Sequence, residues 1–361
     1  MIINLWILSF FIFSIRTFSE TKKDTLSVEY LQIVREEFGN WAAEYNRNYT
    51  SPSEFSHRFD VYLENKLKVD QHNSDSSKTY TMGINKFSDL TDQEYMALFK
   101  PTPRPINPLD FMPSFIKDIL GFLIPTKTTL KLETGSSPNY DYLPIKKIDW
   151  VDKGALAKIR DQQSMGSCYA FAAIAAVEAA YFIKTGQTIV LSEQQMMDCG
   201  LDSELKMGGG SGAMLEDVGT YVVKYGLHSG DQFKYKNKED QCYRVPTVVK
   251  AKTITNGFAN SFELLSEVAK GPVVAQIEWN ADVRAYKSGV FDIKYPCGIF
   301  PNHAVTIVGY DVTAPIPYLK IRNSHGETVG DKGYFLFALR DAGDSAFCGL
   351  NGGKEFRPVL E

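Results

Sequence analysis

The stretch Gln162-Gln163-Ser164-Met165-Gly166-Ser167-Cys168-Tyr169-Ala170-Phe171 decides how this chain is read. It runs into an alanine-rich segment with almost no charge, and that pattern predicts a buried helix over 167–184 with Cys168 at its start. At a helix N-terminus the unsatisfied backbone N–H groups and the macrodipole favour an anion, which raises the thiolate fraction of a cysteine. A lone cysteine is more often structural, so a nucleophile reading needs a base and a group that orients it. His303 in Pro301-Asn302-His303-Ala304 and Asn323 in Ile321-Arg322-Asn323-Ser324 supply both, 135 and 155 residues downstream, at the edges of predicted strands.

Outward from this stretch, the last hundred residues alternate as strands do, at 273–277, 304–308, 318–321 and 333–337, separated by Gly, Pro and Asn turns. A helical half followed by a sheet half predicts an α+β fold. Upstream, residues 26–99 read as helical: Phe38, Trp41, Tyr45 and Tyr49 recur at helical spacing, as do Phe55, Phe59, Tyr62 and Val69. Ser53 with Glu54 opens the second helix, and Thr91 with Glu94 has the capping-box pattern of a third. Between them and the core helix, seven of the sixteen prolines fall within 101–138, which marks a linker. Inside that linker an apolar stripe at 111–124 reads as a short helix docked on a neighbouring surface.

The composition is that of a globular chain of 361 residues: 44% hydrophobic, 23% charged, with 39 basic against 43 acidic residues. Such a balance offers no polybasic footprint for nucleic acid. The N-terminal apolar run at 2–15, followed by Arg16 and a small or polar stretch, predicts a secretory signal peptide over 1–19 and is too short for a stable membrane span. Asn48-Tyr49-Thr50 is a sequon, so Asn48 is a candidate glycosylation site. Five cysteines leave at least one thiol unpaired in an oxidising compartment. His57, His72 and His228 lack companions at metal-ligand spacing, and no Lys-Ser/Thr follows the glycines at 208–212, so no metal, nucleotide or other cofactor is expected.

From about residue 26 onward the chain resembles a papain-like cysteine protease precursor of the cathepsin L-like kind. The Cys-to-His and Cys-to-Asn spacings fall near the about 130 to 150 residues that characterise that family. Glu54, Arg58, Tyr62, Asn65, Val69 and Asn73 match the interspersed pattern of the family's inhibitory propeptide, and Gly83-Ile84-Asn85-Lys86-Phe87-Ser88-Asp89 matches its second motif. Leu191-Ser192-Glu193-Gln194-Gln195, Asp198-Cys199, Gly208-Gly209-Gly210 and Gly309-Tyr310 then follow in family order. The resemblance implies a two-lobed α+β peptidase domain over 143–361, a helical lobe against a sheet-rich one. It also implies an inhibitory prodomain over 20–100, a pro-linker over 101–142, and a zymogen of a secreted or lysosomal endopeptidase. Cys168 would be the nucleophile, His303 the base, Asn323 its orienting group and Gln162 an oxyanion donor. Cys199–Cys242 and Cys297–Cys348 would be disulfides, leaving Cys168 as the free thiol. Gly209, Gly210, Ser211, Gln276, Pro301, Ala304 and Gly353 would line the substrate cleft, where Gln276 should weaken the usual preference for bulky apolar side chains.

Implied partners are peptide and protein substrates, the chain's own propeptide and cystatin-like inhibitors, acting on a monomer. The pattern is also broken in places. Met165 and Met207 stand where the family has a third disulfide, Tyr169 replaces a tryptophan, and His325 and Val329 replace two more. His325 reads as a solvated loop histidine in preference to a cap over the His–Asn pair. These losses motivate an alternative: a catalytically impaired homologue that acts as a binding or inhibitor protein.

Overall fold

Residues 26–98, 140–243, 245–258, 260–292, 301–339 and 354–360 are described by the computed structural model. The expected signal peptide, the apolar stretch 111–124, the linker as far as residue 139, and Cys297, Cys348 and Gly353 lie outside the described residues. The chain divides into two compact units, Met1–Tyr95 and Met96–Glu361.

In the first unit, α1 (Val28–Glu44) and α2 (Pro52–Asn73) cross over an aromatic cluster. Phe38 sits at its centre, with the rings of Trp41, Tyr49, Phe55, Phe59 and Tyr62 at 5.2–5.9 Å. Tyr49 joins the cluster from the turn after α1, because the helix ends at Glu44 and Asn46 takes a left-handed φ of 52°. The second helix also begins earlier than Ser53. Ser51 is its N-cap, accepting from the Glu54 N–H at 3.1 Å, and Pro52 occupies the first turn, where its missing N–H costs nothing. The expected box at Thr91 and Glu94 does cap α3 (Asp92–Ala97), with bonds of 2.8 and 3.1 Å in the two directions.

The two sequence motifs of this unit hold one another. Arg58 Nη1 donates to Asp89 O and to Glu94, and Asn65 Nδ2 donates to Ser88 O and Leu90 O. Asn73 closes the far end, its amide exchanging two 2.9 Å bonds with the backbone of Met82 at the end of β1 (Tyr80–Met82). Spacings of seven and eight residues along α2 thus place Arg58, Asn65 and Asn73 in one row against β1 and the loop that follows it.

In the second unit, α4 (Cys168–Thr185), α5 (Glu193–Asp202) and α6 (Leu215–Lys224) form the helical side. The sheet runs β5 (Tyr286–Phe291), β8 (Tyr334–Ala338), β7 (Tyr318–Arg322), β6 (His303–Asp311), β4 (Val273–Ile277), β9 (Phe356–Val359) and β3 (Thr253–Asn256). The short β2 (Lys147–Asp149) pairs with the C-terminal third of β6 and β4 with its N-terminal half. Only the β5–β8 pairing is parallel among the pairs just named. All nine residues of β6 are buried, and at Gly309 a Cβ would stand 2.3 Å from the Ile148 carbonyl, so the β2 pairing needs glycine there.

α4 packs directly on β6, where Thr306 Oγ1 donates to Ala172 O at 3.0 Å. Its alanines explain the close approach: Ala170, Ala173, Ala176 and Ala179 are fully buried, and larger side chains there would cost about 1–3 kcal/mol each. Gly186 ends the helix in the left-handed region, its N–H returning to Phe182 O. The expected α+β class and each of the four expected strands are present. This packing sets the N-terminus of α4 beside the N-terminus of β6.

Candidate active site

The first two residues of β6 meet the first residue of α4: the Ala304 N–H points at Cys168 Sγ at 3.4 Å, which brings His303 and Cys168 into one site. Cys168 is the free thiol among the described residues, while Cys199 and Cys242 form a disulfide with Cα atoms 4.8 Å apart. Burial pushes the thiol up, and the backbone N–H groups of Ala304, Tyr169 and Cys168 draw it back in part.

His303 is buried and its Nε2 lies 2.7 Å from Asn323 Oδ1. An amide oxygen only accepts, so Nε2 carries the proton and the neutral ring keeps its lone pair on Nδ1. Burial lowers the His303 imidazole to about 4, against the opposing pull of Asn323. Burial therefore disfavours an isolated thiolate or an isolated imidazolium here. A proton passed from one to the other makes two opposite charges with no net charge.

Asn323 follows β7, and its backbone N–H is fixed to Gly333 O at 3.0 Å. The next residue ties this loop to the helical side: Ser324 O accepts from the Gln162 N–H at 2.8 Å, and Ser324 Oγ donates to Gln162 Oε1. Gln162 Nε2 gives one hydrogen to Met165 O at 2.9 Å, leaving the second amide hydrogen for another acceptor. Tyr235, which the sequence did not single out, holds this segment from behind. Its hydroxyl donates to Gln162 O at 2.6 Å and lies 3.0 Å from Ser167 Oγ, while its ring packs edge-on against Phe171. Ser167 is therefore spent on Tyr235 and gives α4 no side-chain cap.

The environment of His303 differs from the expectation. His325 is not solvated: it is 2% exposed, and its ring stacks on that of His303 with centroids 5.2 Å apart and planes 15° apart. Asp161 pairs with His325 as an isolated antiparallel bridge, and Gly326 N donates to Arg160 O, so the loop is stitched to the segment that carries Gln162. Trp279 completes the wall. It is fully buried, 5.1 Å from the His303 ring and 6.2 Å from that of His325. Asn302 clamps Trp279 by accepting from its N–H at 2.7 Å and donating to its carbonyl at 2.9 Å. Sequence reasoning passed over Trp279; its signal was a tryptophan two residues beyond a strand that pairs with the His303 strand.

Of the expected cleft residues, Gln276 pairs directly across from Ala304 and is buried, Ser211 is exposed and Pro301 is half-buried. Gly209 and Gly212 have φ of 55° and 99°. Gly210 is engaged on both sides, its N–H donating to Glu239 Oε1 and its carbonyl accepting from Gly166 N–H, each at 2.8 Å. Met165 packs its methyl against Gly210, and Met207 is buried against Gly200. Val329 is fully buried. Asn48 is exposed.

Beneath the site lies an ionic cluster. Arg160 makes a bidentate 2.8 Å pair with Glu178 and reaches Glu193 at 2.8 Å, while Glu178 also accepts from the Leu191 N–H. Burial raises Glu193 to about 7 despite Arg160.

Comparison with known proteins agrees with this geometry. Residues 144–354 match the papain family cysteine protease model, and residues 38–95 match the cathepsin propeptide inhibitor domain. Caricain from Carica papaya is 32% identical over 319 residues, covering 87% of this chain and 84% of caricain. Fruit bromelain from Ananas comosus is 29% identical over 329 residues, covering 87% of this chain and 83% of that protein. The structure of a recombinant stem bromelain precursor superposes with a TM-score of 0.73 at 30% identity, covering 91% of this chain and 99% of the precursor. The chain thus belongs to the papain family of cysteine proteases and carries that family's propeptide inhibitor domain.

Proposed function

We propose that the chain is the zymogen of a cysteine endopeptidase in which Cys168 attacks the peptide carbonyl, His303 moves the proton and Asn323 holds the imidazole. The Sγ–H proton passes to His303 Nδ1, the thiolate adds to the carbonyl carbon, and the imidazolium returns the proton to the departing amine. A thioester and a free amine result; water, deprotonated by the same imidazole, then releases the acid. The second Gln162 Nε2 hydrogen and the Cys168 N–H would serve the tetrahedral oxyanion, each donor contributing about 3 kcal/mol at such sites. The observation that carries this reading is the joint placement of four residues. Cys168 meets the Ala304 N–H, His303 bonds to Asn323, and Gln162 is fixed by Ser324 with one amide hydrogen to spare.

Endopeptidase action is supported by the short turn between Cys199 and Met207, closed by bonds from Ser203 N and Met207 N to Gly200 O, which leaves no room for a loop that blocks one end of a cleft. The signal peptide, the Cys199–Cys242 disulfide and the exposed sequon at Asn48 fit synthesis in the secretory pathway. The proline-rich sequence of the linker supports removal of the prodomain between residues 125 and 143. The integrity of the four-residue site disfavours the binding-protein alternative. To test the reading, the processed protein is treated with an epoxide thiol reagent of the E-64 type and assayed on an internally quenched peptide blocked at both ends. Stoichiometric labelling of Cys168 with loss of cleavage is expected; an inert Cys168 would reject the enzyme reading.

A further inference from the structure

The ring of His325 is stacked on the imidazole through which the proposed reaction passes. We infer that His325 is a positioning residue for His303 that also sets the acid limit of activity: neutral, it braces and shields the His303–Asn323 pair; protonated, it opposes the imidazolium on which the thiolate depends. The inference rests on the Cys168–His303 reading above.

Three observations carry it. The stack is close and nearly parallel, at 5.2 Å and 15°, so the two rings share one desolvated space. Neither ring can easily withdraw. His303 is anchored at the start of β6 and bonded to Asn323, His325 is held by its bridge to Asp161, and Trp279 packs on both. The two histidines also belong to one covalent frame, since Asn323, which accepts from His303, is two residues from His325.

Two positive charges at this separation repel strongly when water is excluded. The proton that Cys168 Sγ gives to His303 therefore requires a neutral His325, and a proton taken by His325 drives His303 back to the neutral ring, leaving a thiol. Among the described residues, the charged groups on the segments flanking the two rings include Arg160, Asp161, Glu278 and Glu327. Arg160 is paired with Glu178 and Glu193; Glu327, beyond Gly326, lies 3.6 Å from Lys158; Asp161 Oδ1 accepts from Gln163 N–H; and Glu278 adjoins Trp279. Asp161 is the nearest acidic group along the bridged segment and is the one that would favour protonation of His325.

The test is the dependence of kcat/KM on pH for the processed native enzyme, His325→Trp and His325→Gln, each normalised by epoxide titration of Cys168. For the native enzyme the acid limb should fall with a slope of one proton, because the proton that His325 takes is the one that returns Cys168 and His303 to thiol and neutral ring. In both variants the limb should keep that slope and move about one to two pH units lower. At the optimum His325→Trp should stay within about threefold of native, whereas His325→Gln, which loses the stack, should lose about tenfold in kcat. Acid limbs that coincide in all three proteins, with Cys168 fully titrated, would overturn the role of His325 and leave the Cys168–His303 reading standing. Absence of epoxide labelling in the native enzyme would instead overturn that reading and this inference with it. Histidine NMR of the native enzyme needs no variant: biphasic titration of both rings supports the coupling, and two independent one-proton curves refute it.

Discussion

The two sides of the active site are built in opposite ways. On the helical side Gln162, Met165, Ser167 and Cys168 come from one contiguous stretch, fixed by short-range geometry and supported from outside by Tyr235, Gly210 and Ser324. On the sheet side His303 is surrounded by groups from three separated segments, with Trp279 after β4, Asn302 before β6, and Asn323 and His325 after β7. A contiguous motif tolerates little change, because each residue serves its neighbours. A wall assembled from distant segments can change its parts, and here Trp279 and His325 pack together on the ring of His303.

That contrast is easiest to break at Trp279. Its replacement by alanine empties a fully buried site between His303, His325 and Phe335, and should lower the stability of the processed domain by about 3–5 kcal/mol, read as a fall in denaturation midpoint. A loss below about 1 kcal/mol would mean that the wall does not depend on it. On the helical side the largest effect should fall on rate. Gln162→Ala is expected to lower kcat by about 10² to 10³ with little change in KM, the mark of a transition-state donor. A change confined to KM would assign Gln162 to ground-state binding.

What the sequence made legible follows the same division. The helix at 168–185, the motif before it and the strands at 273–277 and 318–322 were readable, because burial and backbone geometry repeat along a contiguous stretch. The start of α2 at Pro52 was nearly so: the Glu54 signal was correct, but the cap is Ser51, three residues before it. His325 was misread because its neighbours in sequence, Gly326 and Glu327, are those of a solvated loop, whereas its neighbours in space are Asp161, Trp279 and His303. No local pattern encodes that enclosure. Tyr235 and Asn302 were silent for the same reason.

A smaller effect separates the sides by pH. Burial holds Glu193, under the helical side, at about 7, above the ordinary glutamate value of about 4.3. The native state therefore keeps a proton that the unfolded chain releases between those values. Stability is greatest below the lower value and falls as pH rises to the upper one, by about 4 kcal/mol at most. The processed enzyme should melt at a higher temperature at pH 5 than at pH 7.5, and Glu193→Gln should remove most of the difference. An unchanged difference in the variant would place its origin elsewhere.

The central claim is that the two sides act as one proton-sharing pair, and it is read most directly from the rate at which iodoacetamide alkylates Cys168 as a function of pH, in the processed native enzyme and in His303→Ala. Burial alone raises the thiol, so a thiolate at neutral pH requires the imidazole. The native enzyme should be alkylated at a plateau rate from about pH 5 upward, as in other His-paired thiols, whereas His303→Ala should react slowly until the pH reaches about 9. Superimposable profiles for the two proteins would contradict the account.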